Sequence, residues 1–433
     1  MSQNGNYPTL DETFSRLLAR RRTLNQLRQL TTVPPGTGDF SSNAYLSLSS
    51  QPAVQRAFIT RLSQAQHHGA GGSRLLDGNS TQAEALERRI AAFHRAPAGL
   101  LFNSAMDANV GLFGCAPQPG DAIIYDELIH ASVHDGMRLS RVVPNRRIAF
   151  AHNQPQQNPL PYLTGKHNIF IAIEGIYSMD GDVAPLASII SCVNHHLPSR
   201  NSYIIVDEAH SIGVLGDRGR GLVCSLKLEA HVWARVLGFG KAMGCAGGMV
   251  LCSSPTTRLY LVNYARSLIY TTAMALPSLV SIDVAYDFLM TGQAEGLRAH
   301  LRRLVRHAHQ LLLAVCARQR PPPALFRLNA EEPKSPIIPV CTSRPRSLAL
   351  YCQQRRFMVR PIVAPTVAKG SERIRVCLHA ANTVDEVEIL VKVMEQWVVD
   401  ECKKGVDRVE EQETASTSVL PSNVLDAEKK AKL

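Results

Sequence analysis

The chain has 433 residues, 45% hydrophobic and 19% charged, enough to bury a full core as one large domain with a smaller one attached. Its net charge of +11 comes without an aromatic-interleaved basic stretch or a DNA-binding motif, which sets nucleic-acid binding aside. No apolar run approaches the roughly 20 residues that cross a bilayer, and the start, MSQNGNYPTLDE, lacks the apolar core of a secretory signal.

Residues 10–30 read as an amphipathic helix, with Leu10, Phe14, Leu17, Leu18, Leu24 and Leu27 on one side. Arg16, Arg20, Arg21, Arg22 and Arg28 concentrate charge there, which a solvated helix face explains slightly better than attraction for an anionic substrate. TTVPPGTGDF breaks the helix and leads into the turn-rich SSNAYLSLSS. From about residue 53 to about 280, helical patterns alternate with short β-branched runs: AIIYD, NIFIAIEG, SYIIVDEAH and GGMVLCS. Such alternation predicts a mostly parallel α/β sheet with buried strands. Residues 279–320 read as long helices, followed by the strands SPIIPV and RIRVCLHA and a closing helix from near Thr383, a smaller α+β domain. After about residue 403 the chain is polar and rich in Ser and Thr, the composition of a disordered tail. The expected division is a lead-in at 1–52, a large domain at 53–285, a small domain at 286–402 and a tail at 403–433. The ten cysteines, Cys115 to Cys402, contain no C-x-x-C pair and read as free thiols of a reducing compartment.

Three residues carry the chemistry. In SYIIVDEAHS, Asp207 stands where a buried strand runs out, and His210 follows three positions on. Ligands of open α/β sheets collect at such carboxyl ends. In VLGFGKAMG, Lys241 lies in a glycine-flanked turn, accessible and partly desolvated, which lowers its pKa and suits it to bond an aldehyde. Pyridoxal phosphate needs a lysine of this kind and an acid facing its ring nitrogen. A solvated lysine and a capping aspartate fit the same residues.

The contexts VDEAHSIGVLGDRGRG and GFGKAMG resemble blocks of the α-oxoamine synthase family, fold-type-I pyridoxal-phosphate enzymes. SSNAYLSL, GAGGSRLLDGNS, FNSAMDANVGLF, YDELIHASVHDGMRLS, EGIYSMDGDVAPL, YARSLIYTTAM and GSERIRVCLHAA resemble further blocks in the same order, from about residue 40 to about 395. The resemblance implies a large domain with a mostly parallel central sheet, a smaller C-terminal α+β domain, and decarboxylative condensation of an amino acid with an acyl-CoA. It implies that Lys241 holds pyridoxal 5'-phosphate and moves the Cα proton, that Asp207 pairs with the ring nitrogen, and that His210 bonds the phenolic oxygen. His130 would stack on the ring and Ser178 would touch its polar edge. Backbone around Ser104, Ala105 and Met106 would cradle the phosphate at a helix start, and Thr271 and Thr272 would reach it from the other subunit of a homodimer. Asn43 and Arg375 would hold the substrate carboxylate. Within the family the likeness is strongest to the branch that joins L-alanine to pimeloyl-CoA in biotin synthesis. A synthase using another amino acid or acyl thioester is the alternative, and a non-catalytic subunit of a heterodimer a third reading.

Some residues depart from the family pattern. Gly238 stands where a threonine hydroxyl usually binds phosphate, a loss of about 1.5–3 kcal/mol of cofactor affinity. Ala105 and Met106 replace a Gly-aromatic pair, and Val363, the first residue of VAPTVAKG, stands where an arginine commonly precedes a Pro-Pro-Thr. Arg373 and Arg375 alternate along a strand, so only one is expected to point into the cleft. His130 and His134 lack the glutamate of H-E-x-x-H, so no metal is expected. The last residues, Ala431-Lys432-Leu433, resemble a peroxisomal address read by an import receptor, with a cytoplasmic location as the alternative.

Overall fold

The chain enters its main body through a two-residue strand, β1 (Gly38–Asp39). In the computed structural model, which describes residues 8–24, 26–65, 67–154, 167–197 and 201–417, seven strands then build a central sheet. They are β2 (Ala98–Phe102), β3 (Ala122–Asp126), β4 (Arg147–Phe150), β5 (Ile169–Glu174), β6 (Ser202–Asp207), β7 (Ala234–Gly238) and β8 (Gly248–Cys252). Their order is β2-β8-β7-β6-β5-β3-β4. All pairings are parallel except the two made by β8, which opposes β2 and β7.

Every residue of β5, β7 and β8 is buried, which is why these strands read as unbroken apolar runs rather than alternating ones. Successive residues serve opposite faces. Ile123, Phe170 and Ile205 join one hydrophobic cluster with Leu112 and Val133, while Ile124, Ile171 and Ile204 join another with Ile189 and Val193.

The smaller sheet uses β9 (Ile337–Cys341), β11 (Arg360–Ile362) and β12 (Arg373–Cys377), antiparallel in the order β11-β12-β9. Strand β10 (Phe357–Met358) pairs parallel with β1. The region read as long helices holds two, Leu276–Met290 and Glu295–Gln319. The closing helix starts at Val384, where Thr383 and Glu386 cap each other at 3.1 and 3.0 Å.

Three expectations change. The first helix stops at Thr23, Leu27 lies beyond it, and none of its residues is buried. Its apolar side is therefore exposed within its own unit, a short segment with too few side chains to cover it. The lead-in at 1–52 divides: the compact units are Met1–Thr37 and Gly38–Leu433, and the expected large and small domains both fall in the second. The physical reason is that Phe40, Tyr45, Leu46 and Leu48 are core residues of the second unit. Backbone bonds fasten this stretch to the far end of the chain, from Cys377 N–H to Phe40 O and from Ala380 N–H to Tyr45 O. Finally, the segment expected to be disordered from 403 continues as helix to Thr417, because its glutamates, lysines and valines meet no proline there. Ala431-Lys432-Leu433 lies outside the described residues.

Candidate active site

Strand ends deliver the acids. Glu174 and Asp207 are the last residues of β5 and β6 and face each other in register. Lys241 follows β7 in the turn that reverses into β8, closed by a 2.9 Å bond from Gly244 N–H to Lys241 O. His130 caps the helix Ala131–Leu139 after β3, and Ser104 caps the helix Ala105–Cys115 after β2. Ala105, Met106, Asn109, His130, Ser132, Glu174, Asp207, Ala209, His210 and Lys241 thereby line one cavity. A larger cleft, bounded by Leu186, Leu215, Leu301 and Val305, holds none of the predicted site residues. Chemistry, not size, locates the site.

The carboxylate of Asp207 is fixed from both sides: Oδ1 accepts from Ala209 N–H at 2.9 Å, and Oδ2 from Asn109 Nδ2 at 2.7 Å. The same Asn109 amide donates to Ser132 Oγ at 2.9 Å, which sits 2.8 Å from His130 Nδ1. Burial holds the Lys241 amine below its ordinary pKa, against the opposing pull of Asp207 and Glu174. Burial, then the nearby Asp207, pushes the Glu174 carboxyl well above the carboxylate range, with Lys241 opposing. His210 falls well below the ordinary imidazole value through burial and then Lys241, and is neutral. Burial also lowers His130.

A second cluster adjoins the cavity. Arg375 donates from Nη1 to Ser178 O at 2.8 Å and from Nη2 to Asn43 Oδ1 at 3.2 Å. Arg373 instead forms an ion pair with Asp180, so of the two arginines only Arg375 meets Asn43. Ser178 stands beside Arg375 through its carbonyl rather than among the residues lining the Lys241 cavity. Thr271 and Thr272 are not brought there either. They border a separate cavity with Arg74 and Asn103, and Asn103 Nδ2 donates to Thr272 O at 2.9 Å.

These groups fit pyridoxal phosphate. Asn109 Oδ1 and Glu174 Oε1 are buried in the cavity wall without a protein hydrogen-bond partner, polar atoms that a polar ring system would face. At the helix start Ser104 Oγ takes Asp107 N–H at 3.0 Å, while Ala105 and Met106 stand in the first turn, where N–H groups lack an intrahelical acceptor and suit an anion.

The departure at Gly238 has a steric cause. A Cβ there would lie 2.7 Å from Ala209 Cβ and 3.2 Å from Ala105 Cβ, so the methyl groups of those alanines fill the space of a side chain. Gly238→Thr is therefore expected to weaken cofactor retention about tenfold or more rather than restore a phosphate contact, because overpacking costs about 1–3 kcal/mol. Equilibrium dialysis of the cofactor checks this; tighter binding by the variant would contradict it.

Tyr45, Asn109, Ser132 and Glu174 were not singled out in the sequence. Each lies within a few residues of a recognised one, and Asn109 sits one helical turn beyond Ala105, which was the available signal.

The profile of the family described as aminotransferase class I and II matches residues 37–394. The 8-amino-7-oxononanoate synthase of Emericella nidulans is 47% identical over 412 residues, covering 90% of this chain and 96% of that protein. The aminoacyl transferase sphA of Aspergillus fumigatus is 35% identical over 411 residues, covering 89% and 87%. Among solved structures, the serine palmitoyltransferase of Sphingomonas wittichii has a TM-score of 0.78 at 25% identity, covering 90% of this chain and 98% of that one.

Proposed function

Because the chain belongs to the aminotransferase class I and II family, as an α-oxoamine synthase dependent on pyridoxal phosphate, we propose that it condenses L-alanine with pimeloyl-CoA to give 8-amino-7-oxononanoate, CoA and carbon dioxide. The observation carrying this choice of substrates is the 47% identity to a synthase of that name across nearly the whole of both chains.

The fold is fold-type I, with the site at the carboxyl ends of parallel strands. Pyridoxal phosphate supplies an electron sink for the pair left at the amino-acid Cα. The chain's own residues do the rest. Arg375, steadied by Ser178 O and Asn43, presents a planar guanidinium to the substrate carboxylate. Lys241, its basicity lowered by burial, takes the Cα proton and later returns one. Asp207, its carboxylate oxygens fixed by Asn109 and Ala209, would pair with the ring nitrogen. Ala105 and Met106 offer N–H groups to the phosphate, and Thr271 and Thr272 serve the site of a second copy in a homodimer.

The sphA relative and the residues Gly238 and Val363 support a second reading, a synthase with a different amino acid or acyl thioester. Purified protein assayed with alanine, serine and glycine against pimeloyl-, succinyl-, acetyl- and palmitoyl-CoA separates the two. Alanine with pimeloyl-CoA is expected to give the highest kcat/KM. Preference for any other pair would replace the first reading by the second.

A further inference from the structure

Tyr45 has no role in the reaction described above, yet it is fully buried beside the cavity. Its hydroxyl lies 2.8 Å from His210 Nδ1 and 3.3 Å from Asn43 Oδ1. We propose that Tyr45 is a positioning residue that fixes the tautomer of His210, an inference that rests on the pyridoxal-phosphate reading of this site.

A tyrosine hydroxyl has one proton to give, and here two acceptors compete for it. Asn43 Oδ1 already receives Arg375 Nη2 at 3.2 Å, whereas His210 Nδ1 is nearer and has no other donor among the described residues. The proton of Tyr45 therefore goes to Nδ1. A neutral imidazole so engaged carries its own proton on Nε2, which has no hydrogen-bond partner among the described residues, and the His210 side chain borders the Lys241 cavity. His210 is thus set as a donor toward the cofactor's phenolic oxygen. The opposite tautomer would aim a lone pair at an oxygen that carries negative charge. Burial with Lys241, Arg375 and His130 nearby keeps His210 neutral, and burial keeps Tyr45 protonated with Cys377 and Arg375 as its charged or titratable neighbours, so neither partner ionises across the neutral range.

Tyr45→Phe in the full chain removes the hydroxyl and keeps the ring. The pH titration of the bound cofactor's visible absorption is expected to shift its midpoint upward by about one unit, a tenfold change. At the same time kcat should fall about tenfold, with KM for the amino acid unchanged because Arg375 keeps its bonds to Ser178 O and Asn43 Oδ1. His210→Gln should shift the same midpoint, and the double variant should shift it no further, because Tyr45 acts only through His210. A coloured Tyr45→Phe protein with the wild-type midpoint overturns the inference alone, as do additive shifts in the double variant. A wild-type chain that acquires no colour with pyridoxal phosphate overturns the underlying reading as well. Imidazole nitrogen NMR of the wild-type holoenzyme, assigned through His210→Gln, needs no Tyr45 variant. A proton on Nε2 supports the proposal, and one on Nδ1 contradicts it.

Discussion

Lys241→Ala is expected to lower turnover by about 10²–10⁴-fold, the range of a lost general acid–base group. Lys241 sits in the reversing turn between β7 and β8, and its amine shares a cavity with Asp207 and Glu174 at the ends of the adjoining strands. Desolvation lowers its affinity for a proton, against the opposing pull of Asp207 and Glu174. Lys241→Arg separates charge from chemistry. A guanidinium retains the positive charge beside Asp207 but does not lose its proton in the neutral range. Both variants should therefore fail alike, measured as kcat on folded protein of unchanged thermal midpoint. Recovery of activity by arginine would reduce Lys241 to a counter-charge.

His152→Ala is expected to destabilise the protein by about 3–5 kcal/mol, the cost of leaving buried charge without its partner. His152 lies between two acids: Nδ1 is 2.9 Å from Asp126 Oδ1, and Nε2 is 2.7 Å from Asp182 Oδ2. Its ring meets Tyr177 edge-on with centroids 4.5 Å apart, and Asn153 Nδ2 adds a 2.6 Å bond to Asp182. The lower end of the range is favoured because Asp182 is 37% exposed, whereas Asp126 is 0% exposed. The cluster fastens the end of β3, which leads to His130, to the turn carrying Ser178 and Asp180, which meets Arg375 and Arg373.

The pH dependence has a definite sign. Despite burial, which opposes it, the two acids raise the His152 pKa from 6.5 to about 10. A group raised on folding stabilises fully below its unfolded value and loses that effect as pH climbs through the folded one. Urea unfolding of wild type and variant should therefore differ most near pH 6 and progressively less up to about pH 10. A gap that widens with pH would show that the histidine is neutral in the folded protein.

Much of this was legible in the chain, and for identifiable reasons. AIIYD and SYIIVDEAH stand out because strands covered on both faces must be apolar along their length, and the end of the second marks Asp207 directly. Lys241 is legible because glycine-flanked turns after such strands are few. The reversed direction of β8 was not, since a buried strand has the same composition in either direction. Asn109, Ser132 and Tyr45 escaped notice because their importance arises from partners 98, 23 and 165 residues away in the chain. Leu10, Phe14 and Leu17 form the apolar side of an amphipathic helix, yet these residues are 66%, 51% and 55% exposed. Periodicity shows that a face can be buried, not that anything covers it.

Borohydride reduction of the purified chain after incubation with pyridoxal phosphate, followed by peptide mass spectrometry, bears most directly on the identity of the working amine. The account predicts a single stable pyridoxyl adduct on the peptide containing Gly240-Lys241-Ala242, absent from Lys241→Ala. A protein that remains unmodified there, or carries its principal adduct on another lysine, would contradict it.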